Sequence, residues 1–245
     1  MNNTVKIVIL AAGQGKRMQS EVPKVLAPLA GKHMIQHLLD RVAKASPEKP
    51  IVIVGYKADL VKKELGDACT YVLQEEQLGT GHAVTCAEDA CGDAEHIVVL
   101  SGDQPFISEK TIRDLIYKNL NSDAKITFAT TDLPDFEDWR KAFINFGRVI
   151  RKDSGVVGVR EYKDATEEEK NIREVNAGCY TFEAKWLWIN LKKIRNENVQ
   201  KEYYLTDLFK IASENNEKIE TIKINPREAL GANSKEELEI LEKMV

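Results

Sequence analysis

The stretch Leu10-Ala11-Ala12-Gly13-Gln14-Gly15-Lys16-Arg17-Met18, followed closely by Pro23-Lys24-Val25-Leu26, joins a glycine loop to fixed cations. That combination suits a nucleoside triphosphate. Glycines lack a Cβ, so the backbone turns tightly and its N–H groups approach phosphate oxygens, while Arg17 and Lys24 add permanent positive charge. Two better-known glycine motifs do not fit. The dinucleotide fingerprint needs a third glycine where Met18 stands and an acidic residue further on for the ribose. The ATPase P-loop needs Ser or Thr after Gly-Lys, and Gly15-Lys16 is followed by Arg17. A plain turn after a strand accounts for the glycines but not for the cations.

Two further segments have the chemistry that metal-assisted nucleotidyl transfer requires. Asp103, in Gly102-Asp103-Gln104-Pro105, directly follows an apolar run, so it shares the carboxyl-end crevice of a parallel sheet with the glycine loop. Magnesium takes one or two protein oxygens and fills its remaining positions with phosphate and water. Read locally, the same Asp is also a turn former. In Gln74-Glu75-Glu76-Gln77-Leu78-Gly79-Thr80-Gly81-His82-Ala83, Gln74 offers both a donor and an acceptor to a base edge, and Gly79-Thr80 brings backbone close; the plainer reading is a helix start with a glycine turn. The reaction needs no nucleophilic side chain. A sugar phosphate, with a second pKa of about 6, is mostly ionised at neutral pH and attacks without a general base.

The elements that must position these residues alternate through the first half. Apolar runs at 5–10, 51–54, 70–73, 96–100 and 125–131 read as strands, separated by helical patterns at 33–45, 58–65, 81–90 and 108–119, the last with Ser108 as its cap. Met34, Ile35, Leu38, Leu39 and Val42 form one apolar stripe, and Ser46-Pro47 ends their helix. The expected fold is α/β, a mostly parallel Rossmann-like sheet with helices on both faces. After residue 132 the pattern changes. Short strands at 147–151 and 156–161 flank Asp153-Ser154-Gly155, a hairpin signal, and a strand at 175–182 follows a charged segment, 163–173, that reads as solvated surface. Helices at 185–194 and 207–214, a strand at 219–224 and a last helix at 235–244 complete the chain; Ser234-x-x-Glu237 is a capping-box pattern. One domain is expected, with residues 1–132 as the nucleotide half and 133–245 as a smaller antiparallel, sugar-binding half.

Composition sets bounds. The 245 residues are 43% hydrophobic and 30% charged, with a formal net charge of −4. This mild acidity argues against nonspecific binding to nucleic acid or membrane and leaves room for a local basic site. The apolar runs are strand-sized, and Met1-Asn2-Asn3-Thr4 lead into the first strand without a charged leader, so a cytoplasmic protein is expected. Cys69, Cys86, Cys91 and Cys179 lack zinc-site spacing and read as reduced, buried thiols. His33 and His37 are one helical turn apart but have no evident third ligand. His96 reads as structural.

Taken in order, residues 10–18, Pro23-Lys24-Val25-Leu26, 74–83, Gly102-Asp103-x-Pro105, Gly147-Arg148-Val149, Glu174-Val175-Asn176-Ala177-Gly178 and Glu202-Tyr203-Tyr204-Leu205-Thr206-Asp207 resemble the N-acetylglucosamine-1-phosphate uridyltransferase domain of the bifunctional bacterial enzyme. The first loop is shared with the broad sugar nucleotidyltransferase superfamily; Gln-Leu-Gly-Thr-Gly-His-Ala and Glu-Tyr-Tyr-Leu-Thr-Asp are similar to this family in particular. The resemblance spans nearly the whole chain and implies a GT-A-like nucleotidyltransferase sheet. By resemblance, Leu10, Ala11, Ala12, Gly13, Gly15, Gln74, Gly79, Thr80 and Gly102 hold the uridine nucleotide, with Gln74 on the uracil. Arg17 and Lys24 neutralise the triphosphate, and Asp103 and Asn233 bind Mg2+. Gly147, Glu161 and Asn176 contact the amino sugar.

The resemblance thus implies UTP and N-acetylglucosamine 1-phosphate as small-molecule substrates. Departures are His33, where the family usually has proline, and Lys201, where it usually has glycine beside the sugar region. The chain shows no hexapeptide repeats after the last helix, so no acetyltransferase activity is expected. Oligomeric state stays open. The alternatives are another sugar or polyol phosphate, including CTP-dependent chemistry, and a noncatalytic nucleotide-sugar sensor.

Overall fold

The computed structural model describes residues 4–18 and 20–245. Residues 1–3, expected as a bare lead into the first strand, lie outside the described residues, as does Gln19. Strand β1 (Val5–Ala11) alternates its core residues, with Ile7, Ile9 and Ala11 in one apolar layer and Val8 in the other. That is the period of a strand covered on both faces. A hairpin of β2 (Pro28–Leu29) and β3 (Lys32–His33) then leads into α1 (Met34–Ala45). The hairpin turns through Ala30 and Gly31, both at positive φ. Two-residue strands carry no periodicity and so leave no sign in the sequence. The expected stripe from Met34 to Val42 is buried throughout. His33 Nδ1 lies 2.8 Å from the Leu26 carbonyl and ties the hairpin to the turn before it, while His37 Nε2 lies 2.8 Å from the Leu29 carbonyl and ties α1 to the hairpin.

The parallel series continues through β4 (Ile51–Val54), α2 (Ala58–Leu65), β5 (Thr70–Leu73), α3 (Thr80–Cys86), α4 (Glu88–Cys91), β6 (His96–Ser101), α5 (Glu109–Leu120) and β7 (Ile126–Asp132). The one helix expected over 81–90 is broken at Ala87, whose N–H closes a tighter turn onto the Val84 carbonyl. Ser108 caps α5 by accepting from the Thr111 N–H, as expected. The second half contributes β8 (Arg148–Lys152), β9 (Gly155–Arg160), α6 (Glu167–Lys170), β10 (Glu174–Glu183), α7 (Ala184–Leu191), α8 (Asp207–Glu214), β11 (Ile219–Lys223) and α9 (Lys235–Glu242). The charged segment before β10 is more ordered than its composition suggests. Its short helix α6 is fixed by a full capping box between Thr166 and Glu169.

The main sheet runs β11-β7-β10-β6-β1-β4-β5. β6, β1, β4 and β5 are parallel, as are β11 and β7. Between these groups lies β10, antiparallel to both β6 and β7. Thus β6 and β7, consecutive in the predicted parallel series, are not neighbours. β10 is buried on both faces although Asn176, Gly178 and Thr181 interrupt its apolar residues, and nothing in that pattern sets its direction. A bulge between Asn176 and Tyr180, with Gly178 at φ +74°, divides it. Beyond the bulge β10 pairs with β6; before it, at Val175, it pairs with β8. This exchange of partners leaves β8 and β9 as a hairpin that branches from β10, off the main strand order. β1 has sequence-distant neighbours on either side, β4 and β6, which makes its carboxyl end a topological switch point. Among the described residues no helix is long and apolar enough to cross a membrane.

Arg148 anchors the start of β8 to the segments on either side of it. It is 1% exposed, and its guanidinium donates to the carbonyls of Lys170 (3.2 Å), Ile144 (3.0 Å) and Phe146 while lying over the Phe136 and Tyr162 rings at 4.6 and 5.1 Å. Burial pushes its pKa below the usual arginine range. Arg148→Met is expected to destabilise the fold by about 3 kcal/mol or more, because several buried carbonyls lose their donor at once. Urea denaturation would measure this, and a loss below about 1 kcal/mol would contradict the assignment.

Candidate active site

At the switch point a cavity of about 270 Å³ is lined by Leu10, Ala12 and Gly13 from the glycine loop, Gln74, Gly79 and Thr80 from the second segment, and Lys24 and Asp103. Six of the nine sequence-predicted nucleotide residues therefore line one cavity; Gly15 does not, and lies against the Lys24 side chain instead. Ala11 and Gly102 lie beneath its floor. Ala11 is buried in the core, and a Cβ on Gly102 would come within 2.9 Å of the Leu10 carbonyl, whose oxygen accepts the Gly102 N–H. Gln74 is 3% exposed. Its Nε2 lies 3.2 Å from the Gly79 carbonyl and 2.9 Å from His82 Nδ1, so its amide plane is fixed before any ligand is considered. Thr80 Oγ1 accepts from the Leu205 N–H at 3.0 Å, joining this rim to the segment before α8.

Lys24 crosses the cavity. Its Nζ donates to Asp103 Oδ2 at 2.5 Å and to Asn233 Oδ1 at 2.7 Å. Asn233 precedes α9, and Ala232 N–H donates to the Asp103 carbonyl, which draws the two residues together from positions 130 apart. A carboxylate oxygen and an amide oxygen bracketing a cation form a hard donor pair, the type magnesium accepts. Among the described residues no cluster of three or more His, Cys, Asp or Glu side chains is close enough to hold a metal by itself. Any ion at Asp103 and Asn233 therefore depends on phosphate and water for its other positions.

A second opening, about 300 Å³, is lined by Arg17, Asn145, Glu161, Tyr162, Lys163 and Gln200. Glu161 and Gly147 are neighbours there; a Cβ on Gly147 would meet Val159 at 2.9 Å and Glu161 Oε1 at 3.7 Å. Asn176 N–H donates to the Gly147 carbonyl, but the Asn176 side chain is buried, donating to the Tyr180 hydroxyl at 2.7 Å and accepting from Gly178 N–H at 3.1 Å. Lys201, where the family usually has glycine, stands at φ +54°, so the left-handed turn survives at a lysine. Lys163 Nζ donates to Gln200 Oε1 at 2.5 Å and ties this turn to the opening.

Glu161 is the electrostatic centre of this side. Burial raises its carboxyl above the usual glutamate range, the hydrogen bond from Thr206 Oγ1 (2.7 Å) acts in the opposite direction, and Asp207, Asp164 and Glu202 raise it further. A carboxyl whose folded pKa exceeds its unfolded one binds more protons when folded, so its contribution to stability declines as pH climbs from the ordinary glutamate range through the folded pKa. Glu161→Gln should therefore raise Tm at pH 8 relative to wild type, with the difference vanishing towards pH 4. A constant difference across that range would remove the carboxyl as its source.

Several residues here were missed by sequence reasoning. Gln77, Ser101 and Glu202 line the first cavity, and Asn145, Tyr162, Lys163 and Gln200 the second. Glu237, seen as half of a capping box, puts its Oε2 on Asn233 N–H at 2.6 Å and its Oε1 3.9 Å from Arg17. Gln104 donates to the Ala177 and Ala229 carbonyls and so locks the β10 bulge to the segment leading to Asn233. Only the Ser234–Glu237 spacing carried any local signal; the others depend on contacts between distant segments.

A doubly wound sheet with a glycine loop, a lysine and an acidic oxygen at its switch point defines a nucleotide-handling α/β protein. The chain belongs to the family described as the MobA-like NTP transferase domain, which matches residues 7–139, and it is a nucleotidyltransferase. It is 43% identical over 231 residues to the bifunctional protein GlmU of Halalkalibacterium halodurans, covering 93% of this chain and 49% of that one. Against the bifunctional protein GlmU of Desulfotalea psychrophila it is 41% identical over 240 residues, 96% of this chain and 69% of the relative. The chain spans about half the length of most of the curated relatives it matches. A crystal structure described as a glucose-1-phosphate thymidylyltransferase from Bacillus anthracis shares the fold, with a TM-score of 0.76 at 17% identity over 98% of this chain and 94% of that one.

Proposed function

We propose that this chain transfers UMP from UTP to N-acetylglucosamine 1-phosphate, giving UDP-N-acetylglucosamine and pyrophosphate, with magnesium bound at Asp103 and Asn233. The observation that carries the reading is the convergence of Gln74, the glycine loop, Lys24 and Asp103 on one cavity, with Asn233 held by Lys24 and with Arg17 and Glu161 together at a second opening. The relatives named bifunctional protein GlmU support the choice of a sugar nucleotide.

The acceptor is an oxygen of the sugar phosphate, which attacks the α-phosphorus as the bond to pyrophosphate breaks. With a second pKa of about 6 it is already largely ionised, so the chain supplies no general base. Gln74, its amide held by Gly79, reads the uracil edge. N–H groups of the glycine loop, with Arg17 and Lys24, neutralise the triphosphate and the departing pyrophosphate. Magnesium, when bound, supplies charge neutralisation across the α-phosphate and pyrophosphate oxygens. Glu161 and Gly147 receive the amino sugar, with Asn176 holding the Gly147 carbonyl in place. In this reading residues 1–132 and 133–245 act as one catalytic domain, in the cytoplasm, where UTP is supplied, and on small molecules rather than nucleic acid or membrane.

Pyrophosphate release measured with UTP, CTP, dTTP and ATP against N-acetylglucosamine 1-phosphate and glucose 1-phosphate tests it. Highest kcat/KM is expected for UTP with N-acetylglucosamine 1-phosphate. A preference for another pair would reassign the substrate, and no release with any pair would favour a noncatalytic nucleotide-sugar sensor.

A further inference from the structure

The two oxygens assigned to magnesium already share a cation. Lys24 Nζ contacts Asp103 Oδ2 at 2.5 Å and Asn233 Oδ1 at 2.7 Å, and the Lys24 and Asp103 side chains are only 18% and 11% exposed. The ammonium and the carboxylate cancel one another where solvent screens poorly. A divalent ion placed on the same oxygens would meet the ammonium at close range, with one carboxylate to offset three positive charges. A triphosphate changes that balance, since it brings several negative charges and further oxygen ligands.

The geometry gives Lys24 somewhere to go. Gly15 stands at φ +67°, and a Cβ there would come within 2.7 Å of Lys24 Cβ; one on Gly13 would come within 3.8 Å of Lys24 Cε. The stem thus lies along the glycine loop, beside the N–H groups assigned to the phosphates. Glu237 joins the same circuit, holding Asn233 N–H with one oxygen and standing 3.9 Å from Arg17 with the other.

We propose that Lys24 is a placeholder for the metal. It holds Asp103 and Asn233 together and excludes a divalent ion while no triphosphate is present. When a triphosphate arrives, its ammonium moves onto the phosphates and leaves the two oxygens to the metal that accompanies the nucleotide. The inference rests on the assignment of Asp103 and Asn233 to the metal, and it makes the metal–nucleotide complex, rather than the bare ion, the species this site accepts.

Mn2+ binding followed by the electron paramagnetic resonance of the free ion tests this without turnover. Wild type alone should leave Mn2+ free at concentrations where Lys24→Met binds one equivalent, a difference in Kd of at least tenfold. Adding Asp103→Asn to Lys24→Met should abolish the new binding. Wild type binding Mn2+ as tightly as Lys24→Met, or Lys24→Met binding none, overturns the proposal. Circular dichroism checks the fold of the variant, and Lys24→Gln replaces it if Lys24→Met does not fold. A wild-type arm with a nonhydrolysable UTP analogue should bind Mn2+ at least tenfold more tightly than the analogue alone; equal binding also counts against the placeholder. UTP binding measured by calorimetry separates the two ideas, since its failure would remove the UTP reading while the nucleotide-free Mn2+ comparison still judges Lys24.

Discussion

Asp103→Asn is expected to lower kcat by roughly a hundred- to thousandfold, the scale on which loss of a preorganised charge at a transferring phosphoryl group acts. Asparagine keeps the shape and the oxygen but not the charge. The Asp103 carboxylate is also one of the two groups that hold Lys24 Nζ, so the substitution loosens both the metal and a phosphate cation. The fold should remain, because an amide oxygen at 103 still accepts from Lys24, and the Asp103 carbonyl that receives Ala232 N–H is unchanged. Steady-state rates at saturating magnesium, read beside Tm, separate these effects. A near-wild-type kcat would remove Asp103 from the mechanism, and a collapsed Tm would make it structural.

Gly79→Ala should give the largest loss of stability among single substitutions on the cavity rim, about 3 kcal/mol, or a fall in Tm of about 6–12 °C for a chain of this size. Gly79 stands at φ +118°, and a Cβ there would lie 2.6 Å from the Tyr203 carbonyl oxygen and 2.7 Å from its nitrogen. The backbone at this point is shared. Tyr203 N–H donates to the Leu78 carbonyl, Gly81 N–H to that of Tyr203, and Leu205 N–H to Thr80 Oγ1. Displacing it also frees the Gly79 carbonyl from Gln74, so KM for the nucleotide should rise together with the loss of Tm. Gly158→Ala is a suitable control, since nothing lies within 4 Å of a Cβ there and its φ is not left-handed. Equal Tm values for the two variants would contradict the close approach.

Gly79 also marks where sequence reasoning stops. Its place in a glycine-rich segment after a strand is legible, and so is a role beside a nucleotide, because both follow from local chemistry. What demands glycine is the passage of Tyr203 against it from 124 positions away. Likewise the α1 stripe and the Ser108 cap were legible, since helix periodicity and capping act within one or two turns. The direction of β10 was not, because a strand covered on both faces has the same pattern whichever way it runs.

By itself, then, the sequence determined the α/β class, the glycine loop with its cations, the strand-end position of Asp103 and the family, all properties of short segments whose residue types limit what they can do. Tertiary structure alone decided that β10 would separate β6 from β7 and carry the β8–β9 hairpin, that Lys24 would lie between Asp103 and Asn233, and that Glu237 would stand between Arg17 and Asn233. The physical reason is the same in each case. Burial and hydrogen bonding between distant segments are satisfied by the chain as a whole, and no local pattern specifies which partner a buried polar group will find.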